Sequence, residues 1–79
     1  MFDAIVVVQK CIEAVYQGAA AYHPTRIGTA AGRVIPKSDG SQTVRIKVNI
    51  QYPDGQEKFA PLDCVIDNRG TLTLKEHVD

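Results

Sequence analysis

The stretch TVRIKVNIQYPDG (residues 43–55) decides the fold, because its residues alternate in a regular pattern that ends in a turn. The even positions from Val44 to Tyr52 are apolar, and the odd positions from Arg45 to Gln51 are polar. A period of two predicts a β-strand over residues 43–52 with one face on a core. The PDG that follows predicts a tight hairpin with its glycine in the left-handed conformation.

Three further strands are predicted around this one, over residues 26–36, 57–66 and 71–77. In the third strand along the chain, Phe59 is odd-numbered whereas Leu62, Cys64 and Ile66 are even-numbered. If all of these apolar side chains face the core, the inward parity must change near Pro61. A β-bulge is therefore predicted there, because proline is tolerated at a bulge but not in a regular central ladder.

The amino-terminal segment has the spacing of a helix rather than of a strand. Its apolar residues recur every three or four positions over residues 3–22, which predicts one buried stripe. Asp3 is a suitable N-cap, and the His23-Pro24 dipeptide ends the helix, since a residue before proline avoids helical angles. The predicted stripe consists of Ile5, Val8, Ile12, Val15, Ala19 and Tyr22, widened by Ala4, Cys11 and Ala14.

These elements predict an α+β fold, in which one helix packs in a second layer on a four-stranded antiparallel meander. The length of 79 residues indicates a single domain over residues 1–79, and the composition, 44% hydrophobic and 23% charged, is that of a globular protein. A helix followed by a four-stranded meander resembles the cystatin-like class of folds. The Gln-x-Val-x-Gly loop of the cystatins is not found here, so the resemblance implies no protease-inhibiting residues.

The beginning of the sequence and its cysteines bear on where the protein works. The first residues, MFDAIVVVQK, carry no basic leader, and no segment approaches the ~20 apolar residues of a membrane span. We therefore expect no signal peptide, no membrane partner and a location in the cytoplasm of a host cell. Cys11 and Cys64 are expected to be buried free thiols that could meet between helix and sheet. A disulfide is the alternative, and it needs Cα atoms within about 7 Å.

Residue patterns typical of catalysis or metal binding are absent from the sequence. It contains no CxxC, no HExxH and no clustered acidic loop, and His23 and His77 are expected to be surface residues. Ser38, Asp39 and Ser41 belong to a turn around Gly40 rather than to a phosphate-binding loop. The sequence therefore predicts no metal, no cofactor and no enzymatic activity.

The polar side of the sheet is the candidate for binding a partner. Arg45 is expected near Asp63, which leaves lysines as a net positive charge on that face. An ordinary solvated face gives the same alternation, so both interpretations stay open. The edge strands, above all the glycine-containing first strand, also favour a homodimer. The predicted partner-binding residues are Arg45, Lys47, Lys58 and Lys75, flanked by Arg33 and Arg69.

In its size, its balance of nine basic and nine acidic residues and its lack of catalytic motifs, the chain is similar to the phage-encoded anti-CRISPR proteins. That resemblance implies a phage or mobile-element inhibitor that blocks a bacterial defence complex, a larger protein or nucleoprotein, by steric occlusion. One alternative is an assembly protein that oligomerises through a sheet edge. A weak nucleic-acid-binding accessory protein is disfavoured because Tyr52 turns inward and leaves no stacking platform. A small-molecule pocket would need a larger cavity.

Overall fold

The structure is a computed structural model that describes residues 2–77 of the chain. The terminal positions of the predicted domain, Met1, Val78 and Asp79, lie outside the described residues. Within them, helix α1 spans Ala4–Ala20 and is followed by strands β1 (Arg26–Pro36), β2 (Gln42–Gln51), β3 (Glu57–Ile66) and β4 (Leu72–Glu76). The strands form one antiparallel sheet in the order β1-β2-β3-β4, with the helix packed on one of its faces. The predicted α+β fold is confirmed.

The three connections between strands share one turn construction. In the turn after β2, the Tyr52 N–H donates to the Gln56 carbonyl (2.9 Å) and the Gly55 N–H donates to the Tyr52 carbonyl (3.0 Å). The same two hydrogen bonds recur in the turns that contain Gly40 and Gly70. All three glycines have φ between 86° and 89°, the left-handed region that other residues rarely adopt. Each turn therefore fixes the register of the hairpin that it closes.

The pairing of β2 with β3 is regular along its whole length, from Gln51 opposite Glu57 to Gln42 opposite Ile66. The prediction of a bulge near Pro61 is therefore wrong. The Pro61 carbonyl accepts a hydrogen bond from the His77 N–H (2.8 Å), so this carbonyl points away from β2. An N–H at this position would also point away from β2, so the lack of one in proline costs the β2–β3 ladder no hydrogen bond. The sheet does contain an irregularity, but it lies in β1, between Ala31 and Val34.

A regular β3 changes the direction of two side chains. Phe59 lies opposite Asn49, on the face turned away from the helix, and it is 71% exposed. Lys58 lies opposite Ile50 and lines a depression with helix residues, on the covered face. Both directions are the reverse of the predicted ones, because the parity change expected at Pro61 does not occur.

The helix begins at a capped residue and buries a narrower stripe than predicted. Asp3 is the N-cap, and its carboxylate accepts from the Ile5 N–H at 2.9 Å. The buried positions are four residues apart: Val7, Cys11, Val15 and Ala19. Ile5 and Tyr22, placed at the ends of the predicted stripe, are each 68% exposed. The helix is thus rotated so that Cys11, not Val8 or Ile12, faces the middle of the sheet.

Cys11 and Cys64 form a disulfide that joins the middle of α1 to β3. Their Cα atoms are 6.0 Å apart, and both residues are fully buried among Val44, Ile46 and Ile66. The predicted free thiols are therefore wrong, and the disulfide alternative is correct. No helix within residues 2–77 has the length and apolar character needed to cross a membrane.

We predict that removing this disulfide strongly destabilises the fold. The bond links residues 53 positions apart. A cross-link that closes a loop of that length lowers the conformational entropy of the unfolded chain, which raises the free energy of unfolding by about 4 kcal/mol. The double variant Cys11→Ala/Cys64→Ala, or the wild type under reductant, should unfold at a much lower urea concentration by far-UV circular dichroism. Equal midpoints for the oxidised and reduced protein would contradict this expectation.

Candidate functional site

One face of the sheet is not covered by the helix, and we call it the outward face. It is formed by the odd-numbered positions of β2 and the residues paired with them on the neighbouring strands. These residues lie in rows across the sheet. The rows are Arg26–Gln51–Glu57, Gly28–Asn49–Phe59, Ala30–Lys47–Pro61, Arg45–Asp63–Lys75 and Ile35–Thr43–Val65–Thr73, with Arg45 joined on the β1 side by the bulge residues Gly32 and Arg33.

The outward face is more basic than the chain as a whole. The chain has nine basic and nine acidic residues. Five of the basic residues but only two of the acidic ones occupy the rows of this face within residues 2–77. The neutral total therefore conceals an uneven distribution, which produces a local positive field. The basic residues are Arg26, Arg33, Arg45, Lys47 and Lys75, and the acidic ones are Glu57 and Asp63.

The structure brings four of the six predicted binding residues together on this face. Lys47 and Lys75 lie in the rows above, and Arg33 and Arg45 line a shallow depression of about 450 Å³ next to the β1 bulge. Lys58 belongs to the helix side of the sheet, so its predicted outward position is wrong. Arg69 is exposed in the turn between β3 and β4, where its N–H donates to Asp67 (2.9 Å). That these residues bind a partner stays a prediction.

Asp63 organises the middle of the outward face. Its Oδ2 lies 2.8 Å from Nδ1 of His77, and its Oδ1 lies 3.7 Å from Nε of Arg45. The hydrogen bond with His77, helped by the charge of Arg45, holds the pKa of the Asp63 carboxyl below its usual value, although partial desolvation opposes the shift. The expected proximity of Arg45 and Asp63 is confirmed. His77, expected as an ordinary surface residue, has a side chain only 17% exposed and is engaged with Asp63.

A second feature of the outward face surrounds Phe59. Its ring borders a shallow depression of about 370 Å³ whose other lining residues include Gly28, Ala30, Lys47 and Asn49. We call this the Phe59 depression. The Oδ1 atom of Asn49 is sealed from solvent and accepts no hydrogen bond from any residue in the described part of the chain. A buried acceptor without a donor carries a desolvation cost, and another molecule can reach this atom only after the Asn49 side chain rotates.

The sequence could have revealed Phe59 only through the correct register. If β3 is paired regularly from the PDG turn, residue 59 falls opposite residue 49 and faces outward. The assumption that every large apolar residue faces the core produced the opposite placement. Aromatic residues are enriched at the centres of interfaces, so an exposed aromatic on a polar face is a candidate for contact with a partner.

The residues that could support catalysis or metal binding are sparse in the structure. No group of three or more His, Cys, Asp or Glu residues among residues 2–77 is placed to hold a metal ion. The thiols of Cys11 and Cys64 are consumed in the disulfide. The expectation that the chain is not an enzyme stays a prediction.

Comparisons with known proteins give no independent indication of family or function. No protein-family model, no curated protein and no solved structure matches this chain. The resemblances to the cystatin-like folds and to the anti-CRISPR proteins therefore stay predictions, and the site must be interpreted from its own geometry.

We predict an acid-dependent loss of stability that comes from Asp63. Because folding lowers the pKa of Asp63, its contribution is complete above the usual carboxyl pKa of 3.8 and is lost as the pH falls through the lowered value. The variant Asp63→Asn should be less stable than the wild type at neutral pH by at most about 1 kcal/mol, and this difference should shrink below about pH 4. Urea midpoints measured across this range test the prediction.

Variants of His77 and Arg45 distinguish the effects of these two partners on the pKa of Asp63. The His77 hydrogen bond is the larger cause of the shift, so Arg45→Ala should retain most of the pH-dependent difference that His77→Phe removes. Asp39, whose pKa is also lowered by hydrogen bonds from Ser41, remains in all these variants and cancels in the comparison. A wild type and Asp63→Asn variant with parallel pH profiles would contradict the role given to Asp63.

Proposed function

We propose that the protein is a non-enzymatic binding module that docks a larger, negatively charged partner through its outward face. The observation that supports this most directly is the excess of basic side chains on the uncovered face of a chain whose total charge is zero. Opposite charges steer partners together and fix their orientation, so such a face favours an acidic protein or nucleoprotein surface.

The same charges speak against the outward face as a contact between two copies of the chain. In a symmetric dimer each face meets its own copy, and here that places Arg45 and Lys47 of both copies against basic surfaces. Like charges brought together in an interface cost several kcal/mol. A homodimer would instead use an edge such as β1, where the Ile27 carbonyl accepts only a long hydrogen bond from the Tyr16 hydroxyl (3.4 Å).

A specific form of the proposal is an inhibitor that occludes a bacterial defence complex. What supports it is the small size of the chain and its exposed basic face, which suits a body that blocks access to a larger nucleoprotein. This form requires the protein to remain folded in a reducing cytoplasm, which the dependence on the Cys11–Cys64 bond opposes.

The disulfide favours a different location from the one expected from sequence. Structural disulfides persist in secreted, periplasmic and other oxidising environments and are rare in the cytosol. The cytoplasmic expectation rested on the first residues and on the lack of a membrane span, and neither takes the Cys11–Cys64 bond into account. We therefore propose that the protein meets its partner in an oxidising compartment.

We predict that the protein accumulates in folded form only where the disulfide can form. Expressed in the bacterial cytoplasm, it should carry reactive thiols and be degraded, whereas export to the periplasm should give a protein without free thiols. Alkylation with a maleimide reagent followed by gel electrophoresis distinguishes the two states. A stable, fully reduced protein in the cytoplasm would contradict the proposed location and restore the case for a cytoplasmic defence complex.

We predict that charge reversal on the outward face abolishes partner binding. Arg45→Glu/Lys47→Glu should weaken any complex by more than about tenfold, since like charges at an interface cost several kcal/mol. Lys58→Glu is the matched control, because Lys58 lies on the helix side of the sheet and should leave binding intact.

For the inhibitor form, the readouts are co-purification with bacterial defence complexes and protection of a challenged phage on expression. The inhibitor form requires both in the wild type, loss of both with the double variant, and retention of both with Lys58→Glu. A protein that forms no complex and protects no phage removes the inhibitor form. Equal binding by wild type and double variant removes the outward face as the docking surface.

A further inference from the structure

The Phe59 depression has a composition that differs from the rest of the outward face. Its floor is formed by the small residues Gly28 and Ala30, and Phe59 stands beside it as an apolar wall. Lys47 supplies a cation at the rim. A floor without bulky side chains allows another backbone to approach the sheet closely.

We propose that this depression binds an extended acidic peptide segment of a protein partner; the proposal rests on the binding function of the outward face. An apolar side chain of the peptide packs on Gly28 and Ala30 against the ring of Phe59. A neighbouring carboxylate of the peptide pairs with Lys47 at the rim of the depression.

The apolar floor and wall of the depression favour an acidic peptide over other negatively charged partners. A peptide can carry an apolar side chain next to a carboxylate, so one short segment can fill the depression and pair with Lys47 at the same time. The phosphate groups of a nucleic acid can pair with Lys47, but a nucleic acid carries no aliphatic side chain to pack on the floor of the depression. A nucleic acid would stack a base on Phe59, and a single aromatic offers it only one such platform within the depression.

The basic charge of the outward face favours a peptide with a net negative charge. Arg26 in the row on one side of Phe59 and Lys47 in the row on the other are both basic. The nearest acid of the face, Glu57, is already engaged through a hydrogen bond from Gln51 (3.2 Å). An acidic segment therefore meets Lys47 at the rim of the depression and Arg26 in the row beyond Phe59, two cations against the single negative charge of Glu57, and a basic segment is disfavoured.

The test uses labelled synthetic peptides and fluorescence anisotropy. The probe is a short glutamate-rich peptide with leucine at its centre. Its matched controls are the same peptide with serine in place of leucine, the same peptide with lysine in place of glutamate, and a single-stranded oligothymidine. We expect the leucine-containing acidic peptide to bind best, and its contacts to appear at Phe59, Gly28 and Lys47 in amide chemical-shift mapping.

Two variants change the depression at exposed positions. Phe59→Ala removes the wall, and Gly28→Val fills the floor; a Cβ at Gly28 meets only Asn49 Cβ, at 3.9 Å, which is an ordinary van der Waals contact. Each should weaken peptide binding by about tenfold, the usual effect of losing a central apolar contact. Tyr22→Ala is the matched control, because Tyr22 is an equally exposed aromatic that lies outside the depression, at the end of the helix.

The outcomes separate this proposal from the function on which it rests. Equal binding of the leucine and serine peptides, tighter binding of oligothymidine, binding unaffected by Phe59→Ala and Gly28→Val, or no peptide binding at all would each overturn it. If these arms fail while Arg45→Glu/Lys47→Glu still abolishes a partner complex, the outward face binds its partner by another chemistry. If charge reversal also has no effect, the proposed function fails as well.

Discussion

The pairing of β2 with β3 is the constraint on which the other features of the molecule depend. The turn closed by Gly55 sets this pairing, and side chains alternate between the two faces of a strand. A slip of one residue would exchange the faces, burying Arg45 and Lys47 beneath the helix and exposing Val44 and Ile46. The core, the position of the disulfide and the charge of the outward face therefore all follow from one register.

The sheet and the helix are held together by a small core and one covalent bond. The core between them is made mostly of valine and isoleucine, and Cys11 and Cys64 occupy its centre. Chains of this length bury too little apolar surface for a large stability margin, and a disulfide is a common supplement. The fold therefore has its full stability only in an environment where thiols are oxidised.

Much of the fold was predictable because local signals agreed with one another. The alternation in β2, the glycine-containing turns and the Asp3 cap each specify a local structure that packing then preserves. The helix stripe was less predictable, because Ile5-Val6-Val7-Val8 is apolar at every position and does not define a direction. The β1 bulge has no sequence signature beyond Gly32. The disulfide could not be predicted, because the spacing of the cysteines along the chain does not give the distance between the helix and the sheet.

The site was predictable to the extent that it followed from the register. Arg45 and Asp63 meet because they are paired, but Phe59 was assigned to the core on the strength of its hydrophobicity alone.

The two faces of the sheet contribute differently to folding. Because the disulfide and the core lie on the covered side, side chains on the outward face can be exchanged with little penalty for folding. The molecule is thus suited to combinatorial randomisation at the odd positions of β2 and β3, as a compact scaffold for new recognition surfaces.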